Sequence, residues 1–541
     1  MKQEATGGNK RYLIWVLSLL CSMVAFCYVI MSNMVPLKYI LVLGAAILIV
    51  FTGLFFLQKK MGRIRCWFSI FMEIIIAAIA CYGISVLYHV NSMIDDITDT
   101  VVETEAVSAY VLNKQPWDSI NQALDKNFGR ASGQGYEAVS QYLDRVQTDS
   151  KKNLNVQEYD DMFLAADALL EGEVDVLVLN DAFATMISEF EGYEWFAEDV
   201  KTIDSVLEEV EVEVIKTPAP TVTPTPTPTA EPEETSEPDD TKPEDGKEEV
   251  KPTKTPKPVK AELMEPPEQV DWNSLVNQDM LAAPAGSFVV YIGGADTWGK
   301  ASTKSRSDVN ILAVVNTNTK KILLVSTPRD YYVPLSVSNG VKDKLTHAGN
   351  YGVQASADTL AMLYGVNVAY YVKLNFTGFV SIVDAVGGID VYSDSSFSVE
   401  NSDFSYVQGM NHLSGIEALA FVRDRHHVAG GDRSRGTHQM EVIKAVFQQA
   451  MSPAILYNYA DFMNSISGAF TTNMPKDTMA SLVRMQLGDM ASWDIQSISV
   501  DGTGANKTTY SVPSKTAYVM IPSEASVNSA KDRIANVLNG N

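Results

Sequence analysis

Cysteine is scarce in this 541-residue sequence, and basic residues are outnumbered. All four cysteines, Cys21, Cys27, Cys66 and Cys81, precede residue 90, so no disulfide can cross-link the later parts of the chain. The sequence has 42 Lys+Arg against 66 Asp+Glu, which gives a formal net charge of −24. Because nucleic-acid-binding proteins carry a basic surface, this composition argues against a nucleic-acid partner.

Long apolar runs are found only near the N-terminus. Three of them approach the ~20 residues that a helix needs to cross a bilayer: Tyr12 to Met31, Tyr39 to Leu57 and Cys66 to Tyr88. A basic pair precedes the first run, and four basic residues separate the second from the third. The positive-inside rule therefore predicts a multi-pass cell-membrane protein with a cytoplasmic N-terminus and with everything after His89 outside the cell. Residues 1–91 are the predicted membrane anchor.

The composition divides the remainder into three parts. Residues 92–215 combine two strand-like runs with helical spacing at Trp117 to Lys126, Gly135 to Val146 and Tyr159 to Leu170, which predicts a small extracellular α/β accessory domain. Residues 216–270 carry Thr-Pro repeats and then Glu, Asp and Lys, with little apolar surface to bury, so we predict a disordered linker. Residues 271–541 are long enough for a substantial core.

Apolar strands alternate with helices along residues 271–541. The first three strands are predicted at 287–292, 310–315 and 321–326, and a polar turn at 316–319 joins the last two as a hairpin. Helices are predicted after them at 355–364, 376–386, 437–451, 477–487 and 526–538. This alternation predicts an α/β/α domain in which helices cover both faces of a central β-sheet.

Polar side chains follow or precede these strands, where loops present functional groups. They are Asp296, Arg306, Asp308, Arg329, Asp330 and Lys344. Two carboxylates from separate loops can share a Mg²⁺ ion, because that cation prefers oxygen ligands and substrate phosphates complete its shell. Each residue taken alone is also compatible with an ordinary surface ion pair.

Basic residues are concentrated in the stretch from Phe421 to Gln439, which holds Arg423, Arg425, Arg433 and Arg435. Guanidinium groups match phosphate because their planar fork donates two parallel hydrogen bonds. If residues 421–425 are extended, alternation places Arg423 and Arg425 on the same side, where they converge on one anion. The alternative is a solvated loop in which Asp424 and Asp432 pair with the neighbouring arginines.

A series of short motifs runs in order from Gly293 to Gln439. They are Gly293-Gly-Ala-Asp296, Arg306-Ser-Asp308, Thr327-Pro-Arg-Asp330, Asp343-Lys344, Tyr371-Val-Lys-Leu-Asn-Phe-Thr-Gly-Phe379, Val383-Asp-Ala-Val-Gly-Gly388, Leu413-Ser-Gly-Ile-Glu-Ala-Leu-Ala420, Arg423-Asp-Arg425, Gly431-Asp432, Arg435 and Gln439. Through these motifs the domain resembles the catalytic domain of the LytR-CpsA-Psr family, cell-envelope enzymes of Gram-positive bacteria.

The resemblance implies a membrane-anchored phosphotransferase. Such an enzyme moves an undecaprenyl-pyrophosphate-linked glycopolymer, a teichoic acid or a capsular polysaccharide, onto peptidoglycan and forms a phosphodiester. Asp296 and Asp308 would hold Mg²⁺, with Mn²⁺ as a possible substitute. The pyrophosphate oxygens would be held by basic and amide side chains: Arg306, Arg329, Lys344, Arg423, Arg425 and Gln439. The lipid would enter an apolar tunnel in the α/β core.

The resemblance also implies roles at the acceptor. Asp432 would orient or deprotonate the sugar hydroxyl, with Arg435 holding phosphate or Asp432; alternatively, Asp432 only braces Arg433 or Arg435. Two positions depart from the family pattern. Trp298 and His438 stand where relatives commonly have arginine, and His438 raises the prospect of pH-sensitive activity. These departures keep a second hypothesis open, a non-enzymatic cell-envelope receptor or scaffold, or a regulator that binds polyprenyl lipid.

Overall fold

The computed structural model describes most of the chain. The described residues are 4–32, 34–59, 63–98, 102–133, 135–211, 266–276, 278–399, 402–424, 432–452, 462, 465–466 and 468–541. Apart from residues 266–270, the predicted disordered linker lies outside them. The proposed domain limits at residues 91, 215 and 270 therefore stay predictions.

Three long helices open the chain, as the apolar runs predicted: α1 (Glu4–Met31), α2 (Leu37–Lys59) and α3 (Arg63–Thr98). Each contains an apolar segment of 19 to 22 residues, which is long enough to cross a membrane. The link between α1 and α2 contacts the C-terminal part of the chain through Met34, which packs against Ala480. The first turn of α2 does so as well, since Lys38 donates a hydrogen bond to the Gly488 carbonyl. The orientation of these helices across the membrane stays a prediction.

Residues 102–211 form a mixed α/β structure, which we call the accessory unit. Its strands are β1 (Val102–Leu112), β2 (Asn127–Ala131), β3 (Asn155–Tyr159), β4 (Val176–Asn180) and β5 (Val200–Glu211). They form one sheet in the order β3-β2-β4-β1-β5. Its helices are α4 (Glu137–Ser150), α5 (Met162–Glu171), α6 (Asp181–Ser188) and α7 (Trp195–Glu198).

Strand β4 shows why this sheet is covered on both faces. Its side chains alternate, so Val176 and Val178 pack on the side of α4 whereas Leu177 and Leu179 pack on the side of α5 and α6. One predicted helix, Trp117 to Lys126, is wrong. Only Ile120–Gln122 forms a 3-10 turn, because the chain closes a second turn at residues 123–126 in order to enter β2.

Residues 266–541, the C-terminal unit, contain the larger sheet. Its strands run in the order β16-β11-β6-β7-β8-β17. The strands of the unit are β6 (Ser287–Ala295), β7 (Val309–Asn316), β8 (Lys321–Ser326), β9 (Tyr332–Pro334), β10 (Lys342–Lys344), β11 (Tyr370–Asn375), β12 (Ile389–Ser393), β13 (Phe397–Ser398), β14 (Ser405–Tyr406), β15 (Gly409–Leu413), β16 (Phe470–Thr472), β17 (Asp494–Ser499), β18 (Gly502–Lys507) and β19 (Ala517–Pro522). Those outside the main sheet pair two by two.

Helices cover this sheet on both faces, which confirms the predicted α/β/α architecture. The helices whose bounds the structure describes are α8 (Trp272–Val276), α9 (Val353–Tyr364), α10 (Phe376–Ala385), α11 (Gly415–Arg423), α12 (Asp432–Ala450), α13 (Lys476–Asp489) and α14 (Glu524–Leu538). Leu312 and Val314 of β7 pack on the side of α9 and α14, while Ala313 and Val315 pack on the side of α12 and α13. The predicted hairpin is also confirmed, since β7 and β8 are antiparallel from Asn316 opposite Lys321.

Candidate active site

Three consecutive strands bring the predicted site residues to one edge of the main sheet. Because β6, β7 and β8 are antiparallel neighbours, the end of β6, the start of β7 and the end of β8 lie side by side. Asp296 follows β6, Asp308 precedes β7 and Arg329 follows β8. The Asp308 N–H donates to the Gly294 carbonyl at 2.8 Å, which fixes one of these loops against its neighbouring strand.

A cavity of about 450 Å³ opens at this edge, and we call it the charged pocket. Six predicted site residues are in its wall: Asp296, Arg306, Asp308, Arg329, Arg423 and Gln439. Gly293 and Gly294 form part of its floor. A Cβ atom on Gly294 would lie 2.8 Å from Cβ of Val309, so the close approach of β7 requires glycine here.

Each arginine in the described wall of the charged pocket pairs with a carboxylate. Nη1 of Arg329 donates to Oδ1 of Asp308 at 2.7 Å, and Nη2 of Arg423 lies 3.6 Å from Oδ1 of Asp296. The guanidinium of Arg306 pairs with Glu189 of the accessory unit. These partly exposed pairs keep the guanidinium groups facing one cavity, where an entering anion could replace the carboxylates.

Lys344 does not contact the charged pocket directly; it pairs with Asp330, which lies next to Arg329 of the pocket wall. Its Nζ is 3.3 Å from Oδ1 of Asp330, and Oδ2 of the same carboxylate is 3.7 Å from Nε of Arg329. Lys344 therefore does not line the charged pocket, and is connected to its wall through Asp330 and Arg329. Its assignment as a direct pyrophosphate ligand stays a prediction.

The extended conformation considered for residues 421–425 is wrong over residues 421–423. Helix α11 continues to Arg423, because Ser414 and Glu417 form a capping box that starts the helix and the Asp424 N–H closes its last turn. Arg425 lies outside the described residues. Asp432 and Arg435 belong to α12, but their side chains lie outside the described part, so their predicted roles are untested.

The two aspartates of the charged pocket have the donor atoms that a magnesium ion prefers. Asp296 and Asp308 both line the charged pocket, and oxygen is the donor that Mg²⁺ prefers. Within the described residues no group of three or more His, Cys, Asp or Glu side chains could hold a metal. Two carboxylates would therefore have to share the ion with phosphate oxygens of the substrate.

An apolar cavity of about 510 Å³ adjoins the charged pocket. The two share wall residues from two strands and two helices: Ile292, Leu374, Phe379 and Ile443. The remaining wall is formed almost entirely by aliphatic and aromatic side chains beneath α12 and α13. A ligand with a charged head and a long apolar tail matches this pair of cavities.

Trp298, one of the two departures from the family pattern, lies beside the site with 59% of its surface exposed. Its ring packs edge-on against Phe376, with the ring centroids 5.4 Å apart. Arg423 covers the same phenyl ring, with its guanidinium carbon 4.5 Å from the ring centroid. Trp298 thus helps to fix the aromatic surface on which Arg423 rests.

His438, the second departure, is a core residue. Its ring stacks on Phe421 with centroids 4.1 Å apart, and on Phe397 at 5.8 Å. Burial lowers the pKa of His438 below the usual histidine value, because the charged ring would lose its hydration. The neutral form is therefore favoured near pH 7, and His438 packs against aromatic rings at the position where relatives commonly have an arginine.

We expect His438 to make stability, rather than phosphate binding, depend on pH. Its lowered pKa means that its contribution is complete above about pH 6.5 and is lost as the pH falls through the folded-state value. The thermal unfolding midpoint of the parent should therefore fall more between about pH 7.5 and about pH 5.5 than that of His438→Phe, which keeps the stacking. Equal losses in both proteins would contradict this expectation.

Two residues of the site were not predicted from the sequence. Phe376 opens α10 and lies beneath Arg423, and Glu189 is supplied by a separate part of the chain, 117 residues before Arg306. The motif around residues 371–379 includes Phe376, but nothing local marks Glu189. Only the packing of the accessory unit against the C-terminal unit brings that carboxylate to the pocket.

Fold and pocket together define an α/β protein with apolar N-terminal helices and a charged pocket that adjoins an apolar cavity. The chain belongs to the LytR_cpsA_psr family, whose model matches residues 246–533. This finding confirms the family resemblance of the sequence motifs and, with the three apolar helices, indicates a membrane-anchored protein of the cell envelope.

The chain is similar to curated members of the family. It is 36% identical over 181 residues to the polyisoprenyl-teichoic acid--peptidoglycan teichoic acid transferase TagU of Bacillus cereus, covering 33% of this chain and 59% of the relative. The TagU protein of Enterococcus faecalis is 34% identical over 197 residues, which covers 36% and 64% respectively. The chain thus spans about three fifths of these relatives' length.

The chain is also similar to solved structures, among them that of Bacillus subtilis TagV. It covers 47% of this chain and 98% of its own, at 25% sequence identity and a TM-score of 0.41.

Proposed function

We propose that this protein transfers a teichoic-acid-type glycopolymer from a polyprenyl diphosphate to peptidoglycan. The observation that carries the proposal is the junction of the two cavities, where three arginines and two aspartates adjoin an apolar space of about 510 Å³. The names of the similar TagU proteins support the choice of teichoic acid and peptidoglycan. Undecaprenyl is the proposed lipid, and a capsular polysaccharide is the alternative polymer.

The donor diphosphate would lie in the charged pocket. Arg306, Arg329 and Arg423 would exchange their carboxylate partners for phosphate oxygens, and Gln439 would donate from α12. Asp296 and Asp308, released from their arginines, would hold Mg²⁺, which would supply further neutralisation of the phosphate charge. Catalysis by positioning and charge neutralisation is typical of phosphoryl transfer.

The reaction would form one P–O bond and break another. A hydroxyl oxygen of the acceptor sugar attacks the phosphorus that carries the glycopolymer, and the bond from that phosphorus to the bridging oxygen breaks. The polyprenyl monophosphate departs with the electron pair, while the hydroxyl proton passes to a base, for which Asp432 is the proposed residue. Arg435 is proposed to hold phosphate or Asp432. The product is a phosphodiester between polymer and peptidoglycan.

The full chain in detergent, with a polyprenyl-diphosphate-linked teichoic acid precursor, Mg²⁺ and peptidoglycan, should yield polymer bound to peptidoglycan through phosphate. Chelation of the metal should stop product formation. Absence of product under these conditions would contradict the proposal. Lipid binding without transfer would instead support the alternative of a non-enzymatic scaffold or lipid-binding regulator.

Filling the apolar cavity with a larger side chain should lower the transfer activity with long-chain lipid donors. Ala450 on α12 lines this cavity, so Ala450→Phe places a ring where the lipid tail would lie. We expect kcat/KM to fall roughly tenfold, equivalent to about 1.4 kcal/mol. Gln448→Phe, on the exposed side of the same helix, is the matched control. Equal activity of the two variants would argue against a lipid in this cavity.

A further inference from the structure

The accessory unit supplies one carboxylate to the charged pocket. Both carboxylate oxygens of Glu189 accept hydrogen bonds from Arg306, Oε2 from Nη1 at 2.5 Å and Oε1 from Nη2 at 2.8 Å. The Arg306 side chain is 19% exposed and that of Glu189 is 54% exposed. This two-point geometry is the one with which a guanidinium holds a phosphate.

The helix that carries Glu189 does not explain its position. Glu189 is the C-terminal cap of α6, where the helix dipole disfavours a negative charge. Pairing with Arg306 compensates that unfavourable placement. The carboxylate is therefore directed at the pocket by contacts between the two units.

Those contacts also fix the loop that presents Arg306. The Thr104 N–H donates to the Ser302 carbonyl at 3.1 Å, and the Lys304 N–H donates to the Thr104 carbonyl at 2.8 Å. The Lys304 ammonium also donates to the buried Glu105 at 2.6 Å. Strand β1 of the accessory unit thus holds the loop from behind, while Glu189 pairs with Arg306 in the pocket itself.

The three pairs in the described pocket wall are not equivalent. In the proposed function, Asp296 and Asp308 would hold Mg²⁺ once phosphate has bound, so Arg423 and Arg329 would lose their carboxylate partners in the same event. Glu189 belongs to the other unit, and Arg306 becomes available only when its two hydrogen bonds to Glu189 break.

We propose that Glu189 occupies the place of phosphate oxygens on Arg306, and that a diphosphate must displace it in order to bind. The accessory unit then sets the affinity of the site for its substrate, which makes Glu189 a specificity-determining residue. A ligand with one weakly bound phosphate cannot compete with the bidentate carboxylate, whereas a diphosphate held also by Arg329 and Arg423 can. This inference rests on the proposed function.

The test is equilibrium binding of geranylgeranyl diphosphate to the full chain in detergent with Mg²⁺, measured by calorimetry. Glu189→Gln keeps the size of the side chain and removes the charge, so the variant should bind about threefold to tenfold more tightly than the parent. Glu191→Gln removes the same charge at an exposed position two residues away and should bind like the parent. Glu189→Asp, one methylene shorter, should fall between parent and Glu189→Gln.

The outcomes distinguish the proposed role of Glu189 from the proposed function of the protein. Equal or weaker binding by Glu189→Gln, with the parent binding normally, would overturn this inference and leave the proposed function standing. Failure of the parent and every variant to bind the lipid would overturn both. A purely structural Glu189 would lower the unfolding temperature of Glu189→Gln without tightening binding. In the transfer assay, the gain should appear as a lower KM with kcat little changed.

Discussion

Replacing Arg329 by alanine is expected to reduce transfer of the polymer by roughly 100-fold to 1,000-fold, the usual cost of removing one preorganised donor to a developing negative charge. Arg329 is three-quarters buried, donates to Asp308 at 2.7 Å and lies where the end of β8 meets the start of β7. In the proposed function, removing it takes one cation from the diphosphate, and it also leaves the Asp308 carboxylate without this partner. The measurement is kcat in the reconstituted transfer assay.

A conservative variant separates charge from geometry at this position. Arg329→Lys keeps the cation but loses the planar fork, so we expect it to recover only part of the activity. Arg533→Ala, on α14 away from the pocket, should leave activity unchanged. If Arg329→Ala transferred polymer at the parent rate, the charged pocket could not be the site of the reaction.

Replacing Glu103 by alanine is expected to destabilise the protein by about 3–5 kcal/mol, as happens when one partner of a buried ion pair is removed. Glu103, on β1 of the accessory unit, is 5% exposed and accepts a hydrogen bond from the Lys373 ammonium at 3.2 Å. It also accepts from the Val353 N–H at 3.1 Å, at the start of α9. The variant leaves Lys373, itself 5% exposed, with only the Thr303 carbonyl at 2.8 Å among its described partners.

Thermal unfolding of the full chain in detergent measures this effect, and a loss of this size should lower the midpoint by roughly 10 °C. Glu209→Ala removes an exposed acid from the same sheet and is the control. The double variant Glu103→Leu with Lys373→Met removes both charges and should lose less than the single variant. A negligible loss in Glu103→Ala would mean that the two units are not held together by this pair.

Much of the main sheet could be predicted because its strands are apolar and bounded by polar turns. The predicted strand at 321–326 matches β8, and the strands predicted at 287–292 and 310–315 differ from β6 and β7 by no more than three residues at either end. The acid-rich β5 was missed, since its composition disfavours a strand until β1 pairs with it. The local sequence pattern predicts a strand correctly where buried apolar residues also show strand periodicity. It fails where a segment becomes a strand only because it pairs with a distant strand.

Some residues of the site could likewise be predicted from local motifs, whereas others depend on tertiary packing. Asp296, Asp308 and Arg329 could be assigned from motifs at strand ends, because antiparallel neighbours bring those ends together. His438 stands where relatives commonly have arginine, and its packing against both Phe421 and Phe397 depends on the shape of the core, which the sequence motif does not show. Glu189 depends on how two separately formed sheets pack against each other, which no local pattern encodes.

The most direct test is a crystal structure of the full chain with a polyprenyl diphosphate and Mn²⁺. We expect an anomalous peak between Asp296 and Asp308, diphosphate density against Arg306, Arg329 and Arg423, and the prenyl chain in the apolar cavity beneath α12. A diphosphate bound elsewhere, with the three arginines still paired to their carboxylates and the apolar cavity empty, would contradict this expectation.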